Sequence, residues 1–182
     1  MIARFCFSVS LLLLLNAALF PGKASASSCT APVQAGLSTE LQALGQTRLR
    51  VMLFRVYDAE LATDSGRYPE YDHLTLHINY LRSIRAEALV DTTADEWTKL
   101  GIEKQDSHQQ WLQQLREMWP DVRDGDCLVA HHAKGEGITF YNAEGRLGAI
   151  ESETFANDFL AIWLDEQSSF RRNRDQLLGV QP

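Results

Sequence analysis

The apolar residues of this chain change their spacing in blocks, and this pattern restricts the fold more than any other feature. From Arg48 to Leu61 apolar side chains fall on alternate positions, which predicts one long, bent strand. The run from His73 to Leu81 alternates more cleanly and predicts a second strand with one polar face. Three short runs farther on predict strands over Cys127–His132, Gly137–Tyr141 and Arg146–Ile150.

Helical patterns occupy the remaining two blocks. Thr93 with Glu96 forms a capping-box pattern, which predicts a helix start, and that helix is expected to stop at Gly101. Ser107 repeats the signal with Gln110, and Pro120 ends the amphipathic helix that follows. Two more helices are predicted at the end of the chain, over Phe155–Trp163 and Ser169–Leu178.

This order of elements predicts the fold class. Strands that are adjacent in sequence and joined by short turns pair antiparallel. Helices gathered in two blocks, instead of alternating with single strands, favour an α+β fold over a doubly wound sheet. We therefore expect one large antiparallel sheet covered by a layer of helices.

The N-terminal segment has the features of a targeting sequence. Arg4 precedes an apolar run that ends at Phe20, and Ala24 and Ala26 form a small-x-small cleavage pattern. We predict a cleaved signal peptide over residues 1–26, a folded domain over residues 27–182 and a periplasmic location. An uncleaved anchor is the weaker interpretation because the run is too short to span a bilayer. A lipid anchor on Cys29 is a further alternative, although the leucine that usually precedes such a cysteine is missing.

Charge and cysteine content limit the possible partners. The net charge of −7 becomes −9 once Arg4 and Lys23 leave with the signal, and no basic run offsets it. We therefore expect no nucleic-acid partner. No stable membrane insertion is expected either, because the N-terminal apolar run is too short to span a bilayer. Cys29 and Cys127 are the two cysteines left, so a disulfide between them is expected in an oxidising compartment. Two free thiols are the alternative.

Several segments together are similar to the chalcone isomerase-like superfamily, in particular to its exported bacterial branch. They occur in the expected order and cover most of the mature chain. The segments are Thr47–Arg50, Val56–Ala59, Leu76–Arg82, Gly125–Asp126, Ile138–Asn142 with Gly145, Phe155–Ala156, Ile162–Leu164 and Leu177–Gly179.

The resemblance implies an open-faced β-sandwich with a ligand cleft between the large antiparallel sheet and the helices. The superfamily includes enzymes that cyclise chalcones and non-catalytic members that bind fatty acids. In both, an arginine on an early strand and a nearby tyrosine face the cleft. By position, Arg48 or Arg50 matches that arginine and Tyr80 matches the tyrosine. The further threonine and asparagine pattern of the enzymes is not found, which favours a binder.

The candidate ligand-binding residues are Arg48, Arg50, Tyr80 and Arg82. Tyr80 and Arg82 share a strand face, so a phenol and a guanidinium group could together hold a carboxylate. The alternative is that Arg82 pairs with a surface acid while Tyr80 belongs to the core. Arg48 and Arg50 could hold an anionic head at the rim of a cleft, or they could lie in water at a strand end.

No metal or cofactor is expected. His73 and His77 lie about 13 Å apart on one strand face, and His131 and His132 point to opposite faces. The common catalytic signatures are absent from the sequence. The four tryptophans, which could line a cavity, are more simply explained as core residues.

These observations lead to one main hypothesis and two rivals. The chain is predicted to be a non-catalytic chalcone isomerase-like protein that binds a small amphipathic carboxylic acid, such as a fatty acid. The first rival is an isomerase or intramolecular lyase acting on a chalcone-like substrate. The second is an envelope accessory protein whose apolar surface binds another protein.

Overall fold

Six antiparallel strands form one sheet in which the spatial order of strands equals their order in sequence. The computed structural model describes residues 40–102 and 105–180, together with Cys29, Val33 and Leu37. The strands are β1 (Gln42–Val51), β2 (Phe54–Thr63), β3 (His73–Tyr80), β4 (Cys127–Ala133), β5 (Gly137–Asn142) and β6 (Gly145–Ile150).

Four helices belong to the described part of the chain. Two of them, α1 (Ala86–Lys99) and α2 (Asp106–Met118), lie between β3 and β4 in sequence. The other two, α3 (Glu153–Leu164) and α4 (Arg171–Leu177), follow β6. The predicted α+β architecture, an antiparallel sheet covered by helices, is therefore confirmed.

The single long strand predicted from Arg48 to Leu61 is wrong, because this segment is a hairpin. Strands β1 and β2 pair antiparallel up to Val51 and Phe54, and Met52 and Leu53 form the turn between them. The prediction failed because the turn residues are as apolar as the strands and contain no glycine, proline or asparagine.

The helix starts also differ from their predicted positions. Thr93 and Glu96 lie inside α1, which begins at Ala86, where the backbone N–H donates to the Asp121 carboxylate over 2.8 Å. The start of α2 has a capping box formed by Gln105 and His108 rather than by Ser107 and Gln110. Both true starts use unusual capping partners, so a pattern based on Ser, Thr and Glu does not locate them.

The main core lies between the helices and one face of the sheet. Aromatic rings fill its centre, where Phe140 of β5 packs edge-on against Phe155 and Phe159 of α3 and against Trp119. On the opposite face of the sheet a smaller apolar cluster contains Val33, Val129 and the two cysteines. The sheet therefore has a helical layer on one face and part of the N-terminal segment on the other.

The predicted signal peptide over residues 1–26 lies outside the described residues and stays a prediction. Cys29 and Val33 are the first described residues of the predicted domain, and both are buried. No helix within the described ranges is long and apolar enough to cross a membrane.

Candidate ligand-binding cavity

A cavity of about 400 Å³ lies between the helices and the sheet. Its size falls in the range of roughly 300–1,000 Å³ that is typical of small-molecule sites. All strands from β1 to β5 contribute to its lining, and α1 and α3 close it from the other side. Most of the lining side chains are aliphatic or aromatic. The cavity is therefore suited to an apolar molecule.

Helix α1 covers the cavity because it is held at a distance from the sheet. It packs mainly against α2 and α3 rather than against the strands. Trp97 fixes it in place, since its indole N–H donates to the backbone carbonyl of Asp158 in α3 over 2.8 Å. The face of α1 that looks toward the sheet includes Ala88, Leu89 and Thr92, whose short or flexible side chains leave space.

Two buried tyrosines place phenol groups in the lining. Trp163 donates its indole N–H to the Tyr57 hydroxyl over 3.0 Å, and burial raises the pKa of Tyr57 to about 12. Tyr80 lies edge-on to Tyr57, and burial raises its pKa as well. Within the described residues, the Tyr80 hydroxyl makes no hydrogen bond. Both phenols stay protonated at neutral pH, so Tyr80 can donate to a ligand.

An ion pair forms the polar end of the lining. The Lys99 ammonium group donates to Glu96 Oε1 over 2.7 Å, and this bond raises the pKa of Lys99. Lys99 is largely exposed, whereas the Glu96 side chain is 4% exposed. A carboxylate that is buried in this way needs partners for both oxygen atoms.

Two buried polar atoms in the lining have no hydrogen-bond partner within the described residues. They are Oε2 of Glu96 and the indole Nε1 of Trp119. One atom is an acceptor and the other is a donor. Buried polar groups are almost always paired in folded proteins, so these two atoms are candidate contacts for polar atoms of a ligand.

The structure places only Tyr80 of the four predicted binding residues in this cavity. Arg48 lies on the other side of the β1 backbone and forms a two-pronged pair with Asp58, with a distance of 2.7 Å between Nη2 and Oδ2. Arg50 lines the same outer groove as Arg48, and Arg82 lies over the Phe54 ring near the β1–β2 turn. Their roles in ligand binding stay predictions, and a single site does not unite the four.

Glu96 and Lys99 were not predicted from the sequence, and Trp119 was assigned to the core although the tryptophans were considered as possible cavity-lining residues. Glu96 was interpreted as a capping residue, although its spacing of three from Thr93 also puts it on the buried side of a helix. A charged residue on the apolar stripe of an amphipathic helix is the signal that could have identified it.

The predicted disulfide between Cys29 and Cys127 is present. The two Cα atoms are 6.1 Å apart, and the bond joins positions separated by 98 residues. His77 lies beside the two sulfur atoms, close enough to suggest a metal site by distance alone. Because the sulfurs are bonded to each other, this group does not offer two thiolates to an ion.

A second polar cluster lies outside the cavity lining. The Tyr71 hydroxyl is 3.0 Å from His132 Nδ1, and His132 Nε2 is 3.1 Å from a carboxylate oxygen of Glu153. The same oxygen accepts the backbone N–H of Gly135 over 2.8 Å. Glu153, the first residue of α3, therefore joins the helix to His132 of β4 and to Gly135 of the β4–β5 loop, which is a structural role.

Comparisons with known proteins agree with this geometry. A family described as "Chalcone isomerase-like" matches residues 38–179. An uncharacterized protein of Haemophilus influenzae is 28% identical over 127 residues, which is 69% of this chain and 62% of that protein. The chain thus spans less than two thirds of the length of that relative.

A solved structure shows the same fold. The crystal structure of an Arabidopsis thaliana fatty-acid binding protein superposes with a TM-score of 0.62, covering 79% of this chain and 89% of that one, at 10% identity. The family match covers every strand and helix described above and both sides of the cavity. The chain therefore belongs to the chalcone isomerase-like family.

Proposed function

We propose that this protein binds one small amphipathic molecule in the cavity under α1 and does not convert it. The observation that carries the proposal is the cavity itself, which is apolar along the sheet and has a few polar groups at defined places. Sites of this composition hold the apolar part of a ligand by burial and orient it by hydrogen bonds.

A medium-chain fatty acid is the first ligand to test. The sequence predicts a small amphipathic carboxylic acid, and the Arabidopsis neighbour is described as a fatty-acid binding protein. Tyr80, Lys99 and Trp119 are groups in the lining that can donate to an oxygen atom of such a ligand. A periplasmic location is part of the proposal. The Cys29–Cys127 disulfide supports it, since disulfides persist in oxidising compartments.

Titration of the full chain with decanoate tests the proposal. Trp119 and Trp163 line the cavity, so their intrinsic fluorescence reports its occupation. Ala130→Leu adds volume at a buried lining position of β4, and we expect it to weaken binding about tenfold or more. Ala149→Leu makes the same change on β6, outside the lining, and is expected to bind like the wild type.

Circular dichroism confirms that each variant is folded before it is titrated. A saturable fluorescence change that Ala130→Leu abolishes and Ala149→Leu keeps supports the proposal. Equal affinities of the two variants, or no saturation by any aliphatic amphiphile, would contradict it.

A further inference from the structure

The unpartnered atoms of Glu96 and Trp119 define the polar chemistry of the ligand, an inference that rests on the proposed binding function. Glu96 is 3% exposed and Trp119 is 8% exposed, and both line the cavity. Oε2 of Glu96 can only accept a hydrogen bond while Glu96 is paired with Lys99, whereas Trp119 Nε1 can only donate one.

An ionised carboxylate fits this lining poorly. It has no proton to give to Glu96 Oε2, and Lys99 offsets only one of the two negative charges that would then share the polar end of the cavity. A hydroxyl group carries no charge, donates one hydrogen bond and accepts up to two. It therefore supplies both kinds of partner that the lining lacks.

We infer that the preferred ligand is an aliphatic molecule whose polar group is a hydroxyl, and that Glu96 selects it over the matching carboxylate. Glu96 accepts the hydroxyl proton, and Trp119 donates to an oxygen of the ligand. Lys99 holds the other oxygen of Glu96.

Competition between matched ligands tests this inference. Decanol, decanoate and decyl methyl ether have the same chain, and the ether accepts hydrogen bonds but cannot donate one. We expect decanol to bind at least about tenfold more tightly than either of the others at neutral pH. Glu96→Gln removes the charge, so it should strengthen the binding of decanoate. Glu87→Gln makes the same change on the exposed side of α1 and should alter neither affinity.

The outcomes separate this inference from the proposed function. Decanoate binding as tightly as decanol to the wild type overturns the selection by Glu96, while binding itself stands. No binding by any of the three compounds overturns the proposed function. If Glu96→Gln does not fold, the comparison of the three ligands on the wild type decides.

The turn between β1 and β2 is an independent feature of the surface. Four consecutive large apolar side chains are exposed there: Val51 by 52%, Met52 by 89%, Leu53 by 94% and Phe54 by 65%. Met52 also has a positive φ of 55°, a conformation that residues other than glycine seldom adopt. A run of this kind usually marks a surface that meets an apolar partner.

Three arginines surround this apolar turn. Arg50 and Arg55 are directly opposite each other in the β1–β2 register, and the Arg82 guanidinium lies 6.0 Å from the centroid of the Phe54 ring. All three are exposed, and within the described ranges none has a carboxylate within ion-pair distance. Like charges facing each other across a strand pair are unfavourable. A local positive cluster therefore stands out on a chain with a net charge of −7.

We propose that this turn docks on a lipid surface that contains anionic headgroups. Its apolar side chains enter the boundary between headgroups and acyl chains, and Arg50, Arg55 and Arg82 contact lipid phosphates. A turn with exposed apolar side chains and arginines around it matches the boundary between lipid headgroups and acyl chains better than it matches an apolar protein surface. Val51 and Val56, which flank the turn, also line the cavity, so docking brings the cavity next to the lipid.

Co-sedimentation with vesicles tests the docking. We expect the full chain to bind vesicles of phosphatidylcholine and phosphatidylglycerol, and to bind pure phosphatidylcholine at least about tenfold more weakly. Leu53→Ser should abolish binding, and Arg50→Gln combined with Arg55→Gln should weaken it in a salt-dependent way. Arg171→Gln, at an exposed position in α4, serves as the charge control and should bind like the wild type.

Three results would overturn the docking proposal. One is no binding to anionic vesicles, and another is equal binding to both lipid mixtures. The third is a dimer or a complex with an envelope protein that forms without lipid and is lost in Leu53→Ser. These variants change exposed side chains, so their folding is not expected to be impaired.

Discussion

Individual polar side chains decide what an otherwise apolar cavity can hold. Glu96, Tyr57 and Tyr80 lie among aliphatic and aromatic neighbours, and each is buried. Their surroundings keep the phenols protonated, while Lys99 keeps one carboxylate oxygen of Glu96 occupied. The cavity thus offers hydrogen-bond donors and acceptors at fixed positions.

For individual residues, the sequence predicted which types of side chain would be polar ligand contacts better than it predicted where those side chains lie. Tyr80 lies in the cavity, as expected from its place at the end of an alternating strand. Arg48 forms its ion pair on the outer side of β1. The position of the hairpin turn determines which side chains of β1 face outward. The position of the turn could not be predicted from the sequence, because the turn contains no glycine, proline or asparagine.

Removal of the Tyr57 hydroxyl should reduce the free energy of unfolding. In Tyr57→Phe the Trp163 indole N–H loses its acceptor inside the core, at a cost of about 1–2 kcal/mol. Urea denaturation measures the loss. Tyr68→Phe removes a hydroxyl from a residue that is 36% exposed, and it serves as the control. Equal effects of the two substitutions would show that the buried hydrogen bond contributes nothing.

His131 should make the fold sensitive to mild acid. Burial, together with the neighbouring His73 and His132, lowers its pKa to about 4 from an ordinary value of 6.5. Between these two values the unfolded chain binds a proton that the folded chain does not, so stability falls as the pH drops from 6.5 toward 4. Because the ring is partly exposed, we expect a contribution on the order of 1 kcal/mol.

The His131→Gln variant tests this pH dependence, because glutamine does not titrate. Its unfolding free energy should decline less steeply than that of the wild type across this pH window. An unchanged slope would assign the acid sensitivity to other groups.

Among the elements, α1 and the β1–β2 hairpin have the closest connection to function. Helix α1 forms a cover because its contacts are made with α2 and α3, which leaves space above the sheet. The period of its apolar residues predicts a helix but cannot show that the helix stands away from the strands. That spacing depends on tertiary partners such as Asp158, which lies 61 positions from Trp97.

Helix α4 should depend on the absence of a side chain at Gly45. A Cβ atom there would lie 2.1 Å from the backbone oxygen of Gln176 and 2.8 Å from that of Leu177. Gly45→Ala must push α4 away from β1, and we expect a loss of about 2 kcal/mol in the free energy of unfolding. Gly148→Ala is the control, because its Cβ would meet only the flexible Met118 side chain. Thermal unfolding compares the two variants, and equal losses would contradict the close approach.

Across the whole molecule, the order of strands and helices was predictable because the apolar residues of each segment follow the spacing of either a strand or a helix. The family resemblance then supplied the cleft between sheet and helices, which periodicity alone does not reveal. Exact strand ends, the hairpin and the lining residues were not predictable, since they depend on contacts between distant segments. The disulfide was predictable from the cysteine count together with the predicted oxidising compartment.

Loss of the disulfide should destabilise the whole fold. The bond closes a separation of 98 residues and ties the N-terminal segment to β4, so its removal should cost about 2–4 kcal/mol. Cys29→Ser combined with Cys127→Ser should lower the Tm by several degrees relative to the oxidised wild type, as calorimetry would show. A reductant should lower the Tm of the wild type but not that of the double variant. If the double variant melted at the wild-type temperature, the bond would have no stabilising role.

Native mass spectrometry of the protein purified from the periplasm, the location that we propose for it, shows whether the cavity holds a ligand. We expect a one-to-one complex with a small lipophilic molecule, which denaturation releases and which Ala130→Leu fails to retain. A protein that carries no such molecule, and that forms no complex when decanol or decanoate is added, would contradict it.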